Sequence, residues 1–551
     1  MKKSQLATKT LALLLASACM LTSCSKGKES SKETSTSSQA ESSNESSTEQ
    51  TSETTTQPDP SSEISDPTDV IVAPNDPYYD RTLVPVDDEI AEELKKLPGV
   101  VDVARYELHS NDDEYVIFFE MPIDHNDPSQ GTFIQRANLK YRGKDRPTVF
   151  CCTGYDLSFL FYDEDPYFDM SETIFSEMYE CNFLEVEYRF YGKSIPQGFS
   201  YDNPEYWQYL TNENASEDFH TIIESVKNFL PEKWVFEGCS KGGCLTVYQA
   251  GSHPEDADLF LAEAAMVKCS QNYPGLYEYC YTTAGNERFG EDTAQEYRDM
   301  ILKFQVECIR YQDEIVPLLE DFIQLQGSVI DSDLTSDILF ECMVLDQIYF
   351  WQYCDEYELD DLEYIIQYID NADTEPEIKD LPYRLLDTLI AGYGPWQYQI
   401  EDSLNYRLNE PDMLYLYNFQ NYREDGNYLY DFSYLRDALE KDGNGLTLTI
   451  TEEMEPQIHS LRVYKGQREA LSYSPDTLNM RMSAIENTEK PLILINGLTD
   501  VHSIAEVTES DNPNVYIFNI PDATHIECEP NNLSDTQFEE FEKIVKAALG
   551  I

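Results

Sequence analysis

No stretch constrains this chain more than residues 233–244, which read Lys-Trp-Val-Phe-Glu-Gly-Cys-Ser-Lys-Gly-Gly-Cys. Trp234, Val235 and Phe236 form a short apolar run of the kind that fills a buried strand. Residues 244–250 carry a helical pattern. Between the two, Gly238-Cys239-Ser240-Lys241-Gly242 brackets a serine with glycines. A strand that reverses into a helix at Ser240 holds that residue on strained backbone, and flanking glycines remove side chains that would collide there. Such an elbow presents one hydroxyl at the end of a sheet, where a nucleophile can work. It is useful only if the chain also supplies a base and an acid.

The patterns on either side say what sheet the elbow belongs to. Upstream, Val101–Leu108, Tyr115–Met121 and Thr132–Tyr141 alternate or cluster β-branched and aromatic residues. Turn residues at 124–128 and 142–146 separate them, which predicts an antiparallel lead-in. From Pro147 apolar strands alternate with helices. Thr148–Cys152 is followed by a helix at 170–178, a strand at Asn182–Tyr188, and a helix at 214–230 capped by Asn214 or Ser216. The elbow comes next, then a strand at Leu259–Val267. Alternation of this kind predicts a parallel sheet covered by helices.

The rhythm stops near Lys268. Residues 268–487 are acidic, tyrosine-rich and mostly helical in pattern, as at 345–369 and 381–393. Trp351 and Trp396 within them are expected in a core. The β/α rhythm returns with Pro491–Ile495 and Asn514–Ile520. A final helix starts at Ser534, whose capping box with Gln537 precedes the apolar face Phe538, Phe541, Val545 and Leu549. The predicted fold class is α/β: an α/β-hydrolase fold whose core, 84–267 and 488–551, is interrupted by a large helical cap at 268–487.

In that fold the acid and the histidine follow the serine in the chain, on loops after late strands. Asn496-Gly-Leu-Thr-Asp500 follows one late strand, and Pro521-Asp-Ala-Thr-His525 follows the other. His525 is therefore expected to act as general base toward Ser240, with Asp500 holding the imidazole tautomer. Two competitors stand close by: His502 for the base and Asp522 for the acid. The expected oxyanion donors are the backbone amide of Lys241 and that of Gly154 or Tyr155. The side chain of Lys241 has no required part on this reading.

Residues 1–24 read as a targeting segment. Lys2 and Lys3 precede an apolar stretch, Leu11–Met20, and then Leu21-Thr-Ser-Cys24, the pattern of a bacterial lipoprotein site with lipid on Cys24. A second such site at Ala16-Ser-Ala-Cys19 leaves a shorter apolar run. Residues 25–75, dominated by Ser, Thr, Glu and Gln, cannot bury enough apolar surface to fold and read as a tether. The expected location is the outer face of the cell membrane, held by lipid alone. The net charge of −66, from 38 basic and 104 acidic residues, leaves no basic surface for nucleic acid. Such a charge favours solubility and can draw in substrates with a positive terminus. Eleven scattered cysteines beyond Cys24 make no disulfide framework, and no clustered Cys/His spacing suggests a metal. Neither metal nor cofactor is expected.

Several ordered segments together resemble one family. Val186-Glu-Tyr-Arg-Phe-Tyr-Gly-Lys-Ser-Ile-Pro196 is similar to the E-[YH]-R-[FY]-[FY]-G-x-S-x-P signature of prolyl-oligopeptide-processing exopeptidases. Asp124-His125 with Thr132-Phe-Ile-Gln-Arg136 resembles their D-H…T-F-x-Q-R strand pair. Gly238–Gly243 matches the G-x-S-K-G-G elbow of the bacterial tripeptidyl aminopeptidases, and 496–500 resembles their Y-G-x-x-D. The resemblance implies a serine peptidase that releases short peptides, often tripeptides with proline near the cut, from free N-termini. Two positions depart from the family pattern. Cys244 stands where methionine is usual, and Val501-His502-Ser503 follow the acid in place of Pro-Trp-Ser. Competing expectations are an acyl or acetyl esterase and an inactive binding lipoprotein. Asp360, Asp361 and Glu363 are candidates for the substrate amine by charge alone.

Overall fold

The computed structural model describes residues 83–106, 113–157, 172–199, 204–325, 328–330, 334–354, 356–392, 400–402, 413–463, 465–468 and 471–551. The expected leader with Cys24, the expected tether and Trp396 lie outside these residues. The strands in chain order are β1 (Leu83–Pro85), β2 (Val100–Tyr106), β3 (Glu114–Pro122), β4 (Thr132–Lys140), β5 (Thr148–Cys151) and β6 (Asn182–Val186). They continue with β7 (Trp234–Cys239), β8 (Leu259–Glu263), β9 (Ser328–Ile330), β10 (Ile400–Asp402), β11 (Leu492–Gly497) and β12 (Val515–Ile520). Ten of them form one sheet in the order β1-β2-β3-β4-β6-β5-β7-β8-β11-β12. Pairing is antiparallel from β1 to β6 and parallel from β6 to β12. The elbow strand β7 lies inside the parallel half. This is the α/β-hydrolase fold with a helical insertion.

The parallel strands are apolar on both faces because both are covered, and the period of two splits each strand between two cores. Phe236, Phe260, Leu492 and Leu494 join a core with Phe219, Ile222 and Ile223 of the helix Asn212–Val226. Val235, Leu261, Ile493 and Ile495 face the other way, onto Phe175, Phe541, Val545 and Leu549. The last three belong to the C-terminal helix Asp535–Leu549, capped by Ser534 and Gln537. Full burial of such a side chain contributes roughly 1.5–3 kcal/mol relative to exposure.

Between β8 and β11, helices at Glu291–Arg310, Gln312–Leu325, Ser336–Leu345, Glu356–Asn371 and Glu375–Ala391 surround a third core. It includes Phe304, Leu319, Leu339, Trp351 and Leu385. Among the described residues no helix is long and apolar enough to cross a membrane.

Several boundaries differ from the sequence reading. The helix expected from 214 begins at Asn212. Its cap is Thr211, in extended backbone, whose hydroxyl accepts the Asn214 N–H at 3.1 Å. Asn214 instead accepts the backbone N–H of His125 at 3.0 Å. Strand β8 stops at Glu263 rather than Val267 because Ala264 takes a left-handed backbone, φ 46°. The apolar run 345–369 is not one helix; Cys354, φ 26°, divides it. Among the described residues no two cysteines are joined in a disulfide, and all of these cysteines but Cys239 are buried.

Candidate active site

Strand β7 delivers Ser240 at a sharp turn, with φ 56° and ψ −115°. That backbone is unfavourable for a residue with a side chain and is held by close packing. A Cβ on Gly238 would lie 2.5 Å from Gly242, and one on Gly242 would lie 1.9 Å from the Cys152 carbonyl oxygen. The elbow therefore presses directly onto the end of β5. The Ser240 N–H donates to the Glu263 carbonyl at 2.8 Å, which ties the turn to β8. Lys241 then opens the helix Lys241–Ser252. Its N–H is one of the first-turn amides with no acceptor inside the helix, at the end where the dipole favours negative charge.

The other two groups arrive on the loops that end β11 and β12. Asp500 caps a 3-10 turn, Val501–Ala505, and its Oδ1 accepts the His502 N–H at 2.9 Å. His525 opens a second 3-10 turn, whose cap Thr524 donates its N–H to the Glu527 carboxylate at 2.8 Å. His525 Nδ1 lies 2.6 Å from Asp500 Oδ2, and its Nε2 lies 2.9 Å from Ser240 Oγ. Ser240 is 8% exposed, His525 2% and Asp500 0%. The line can move a proton. With the ring proton on Nδ1 facing the carboxylate, Nε2 is free to accept from the hydroxyl. Burial works to raise the Asp500 pKa, but the His525 charge and hydrogen bond, with His502 beside them, hold it below the usual carboxylate range.

The two competitors are placed differently. Asp522 is exposed, and its carbonyl accepts from Arg288 Nη1 at 2.7 Å. His502 packs edge-on to His525, with ring centroids 5.2 Å apart, and stacks on Tyr428 at 5.3 Å. Burial, reinforced by His525, pushes its pKa down to about 4. Its Nδ1 is buried without a hydrogen-bond partner. Asp360 and Asp361 are exposed on the helix Glu356–Asn371.

Of the expected oxyanion donors, the Tyr155 amide donates to Thr153 Oγ1 at 3.2 Å. Gly154, φ 81°, packs so tightly on the Lys241 stem that an added Cβ would lie 2.9 Å from Lys241 Cδ. The Lys241 side chain is a feature the sequence reading missed. It is 3% exposed, and its ammonium lies 4.3 Å from the Tyr188 ring, 4.8 Å from Tyr191, 5.1 Å from Tyr155 and 5.8 Å from Tyr417. It donates to the Tyr191 hydroxyl at 3.2 Å. Burial pushes its pKa down to about 8, against the pull of Asp425 and Glu424. Each ring face offers the cation roughly 0.5–2 kcal/mol. Tyrosines at four separated positions carry no sequence period, so only the fold assembles them.

A second network explains two motifs that looked merely like signatures. Arg189 is fully buried and donates to both carboxylate oxygens of Asp218, at 2.8 and 2.9 Å. It also donates to the carbonyls of Ile123 and Tyr209. His125 Nε2 reaches the same carboxylate at 2.7 Å. This joins the β3–β4 turn to the segment after β6 and to the helix Asn212–Val226.

Residues of the insertion close over the site. Tyr279 donates to the Leu498 carbonyl at 2.6 Å and Tyr273 to that of Ile504 at 3.2 Å, on either side of Asp500. Arg288 pairs with Glu527 just beyond His525. Gln420 donates to the Tyr188 hydroxyl at 2.7 Å. Among the described residues, two clusters have metal-binding residue types: Asp500, His502 and His525 in the site, and His220, His253 and Asp256 outside it. In the second, His220 Nδ1 already bonds Asp256 at 2.7 Å and stacks on His253 at 4.2 Å.

Residues 84–378, more than half of the chain, match the family described as PS-10 peptidase S37. The chain is 27% identical over 268 residues to a prolyl tri/tetrapeptidyl aminopeptidase of Streptomyces mobaraensis, covering 48% of this chain and 51% of that protein. It thus spans about half the length of that relative. Among solved structures it is similar to an alpha/beta fold family hydrolase from Bacillus anthracis, with 12% identity and a TM-score of 0.27 over 76% of this chain and 96% of the other. It is also similar to a haloalkane dehalogenase of Agrobacterium tumefaciens, with 12% identity and a TM-score of 0.29 over 78% and 97%.

Proposed function

Because the chain belongs to the PS-10 peptidase S37 family, we propose that it is an exported serine exopeptidase, lipid-anchored through Cys24, that releases short peptides from free N-termini. The observation that carries this reading is the continuous hydrogen-bonded line from Ser240 through His525 to Asp500. In this reading Ser240 Oγ attacks the scissile carbonyl while His525 Nε2 takes its proton, and the imidazolium is stabilised by Asp500. The negative oxygen of the tetrahedral intermediate meets the Lys241 amide and an amide of Gly154 or Tyr155. His525 then returns the proton to the leaving amine, and water releases the acylated peptide by the same steps in reverse.

The choice of exopeptidase over open-cleft protease rests on the insertion. Tyr273, Tyr279 and Arg288 bind the very loops that carry Asp500 and His525, which favours short chain ends over the middle of a folded protein. The Streptomyces relative is named a prolyl tri/tetrapeptidyl aminopeptidase, which supports release of three or four residues with proline near the cut. His502, where the family pattern has tryptophan, makes the residue preferred at the cut the least transferable part.

The test is mass spectrometry of products from a mixed peptide library with free and acetylated N-termini, using wild type and Ser240→Ala. Short N-terminal fragments from free-amine peptides alone, and none with the variant, are expected. Equal turnover of acetylated peptides, or unchanged rates in the variant, would refute the proposal.

A further inference from the structure

We propose that Asp500, His502 and His525 form an inhibitory site for a divalent transition-metal ion that favours imidazole, of which Zn²⁺ is the chemical type. One nitrogen from each ring and one carboxylate oxygen lie within 4.8 Å of one another. Zinc takes such ligands at about 2.0–2.2 Å in tetrahedral array, which sets ligand atoms about 3.4 Å apart, so the 2.6 Å contact of His525 Nδ1 with Asp500 opens as the more distant ligand draws in.

Three observations point to a ligand rather than to packing alone. His502 Nδ1 is buried and has no hydrogen-bond partner, and a buried polar atom is destabilising unless something meets it. The ring is held in place, stacked on Tyr428 at 5.3 Å and beside Tyr349 at 6.0 Å, so its nitrogens are presented and not free to turn to solvent. Asp500 is oriented from behind by the His502 N–H on Oδ1 at 2.9 Å, the kind of outer support that metal-bound carboxylates use. The rest of the chain contributes too, since a net charge of −66 concentrates cations around it.

The consequence follows from the His525 tautomer, and this part rests on the roles proposed above. An ion bound between Asp500 and His525 takes the lone pair of Nδ1 and replaces the hydrogen bond there. The neutral ring keeps its single proton, which moves from Nδ1 to Nε2 as the ion sheds water. Nε2 then faces Ser240 Oγ with a proton already on it and cannot accept another. The hydroxyl stays unactivated although the serine and its pocket are intact. Removal of the ion restores the proton to Nδ1.

Binding and inhibition are measured separately. Calorimetric titration of ZnCl₂ into the full chain carrying Ser240→Ala keeps all three ligands. Titration into the same chain with His502→Phe added removes one of them and keeps a ring against Tyr428. His220, His253 and Asp256 can take an ion in both proteins, so the readout is the difference: one fewer site, or one site weakened about 100-fold. His502→Gln, which keeps a polar side chain, serves as the second variant if phenylalanine prevents folding. Equal stoichiometry and affinity in all three proteins would overturn the site. Fluorophosphonate labelling of Ser240 in wild type is expected to slow on addition of Zn²⁺ and to recover with EDTA. Binding without slowing would overturn the inhibition. A serine that fails to label even without metal would refute the catalytic reading, with the calorimetry still deciding the ion site.

Discussion

Replacing Asp500 with asparagine separates the role of its charge from the role of its shape. The carboxylate accepts two hydrogen bonds, from His502 N–H at 2.9 Å and from His525 Nδ1 at 2.6 Å, and has no contact with solvent. In Asp500→Asn the amide oxygen still accepts the His502 N–H, so the 3-10 turn is kept. The amide nitrogen then faces His525 Nδ1 and donates to it. That bond selects the tautomer with its proton on Nε2, toward Ser240, and no anion remains to stabilise an imidazolium. The expected loss is about 10⁴-fold in kcat, or about 5.4 kcal/mol at 1.36 kcal/mol per decade. Asp522→Asn is the control. That residue is exposed, and a surface change there alters stability by about 0.5 kcal/mol or less, so kcat is expected to stay near that of wild type. The assay is hydrolysis of a free-amine peptide amide, with fluorophosphonate labelling of Ser240 as an independent readout and circular dichroism to establish folding. If folded Asp500→Asn stays within about tenfold of wild type, or if Asp522→Asn is the variant that collapses, the assignment of the acid is wrong.

Three further outcomes follow from other parts of the structure. Arg189→Met leaves the Asp218 carboxylate buried without its fork of donors and should cost about 3–5 kcal/mol of stability, read by urea unfolding; an unchanged midpoint would contradict the network. Gly154→Ala puts a side chain at φ 81° and against the Lys241 stem. It should lower kcat by about 100-fold with little change in KM, whereas a rise in KM alone would place Gly154 in substrate binding. Burial pushes the Glu237 carboxyl up to about 8, against the lowering effect of its bond from Thr173. Between the ordinary carboxylate value and about 8 the folded chain holds a proton that the unfolded chain has released, so this group's contribution is full at acidic pH and is lost as pH rises through about 8. Unfolding curves at pH 5.5 and 8.5 should therefore differ less for Glu237→Gln than for wild type; an equal difference would show that Glu237 does not titrate in the fold.

The triad residues and the lysine cage show how unevenly a site is written in a sequence. The elbow was legible because strand, glycine pair and helix are contiguous, and each imposes a local rule. Asp500 and His525 were legible as candidates because strand ends fix where loops begin. What local pattern did not reach was the choice of cap at Thr211 and the stop of β8 at Ala264. Both depend on what a neighbouring element offers: Asn214 is drawn to the His125 amide, and Ala264 donates its N–H to Ile495 of the adjacent strand.

By itself the sequence determined the fold class and the identity of the groups that could do chemistry, because periodicity and backbone sterics act over a few residues at a time. Only the tertiary structure decided their surroundings. Four tyrosines from positions 155, 188, 191 and 417 meet around Lys241, and His502, an unremarkable residue in the string, comes to rest against His525. Burial, charge and packing at those places are properties of segments distant in the chain. They exist only once sheet and insertion have closed on one another.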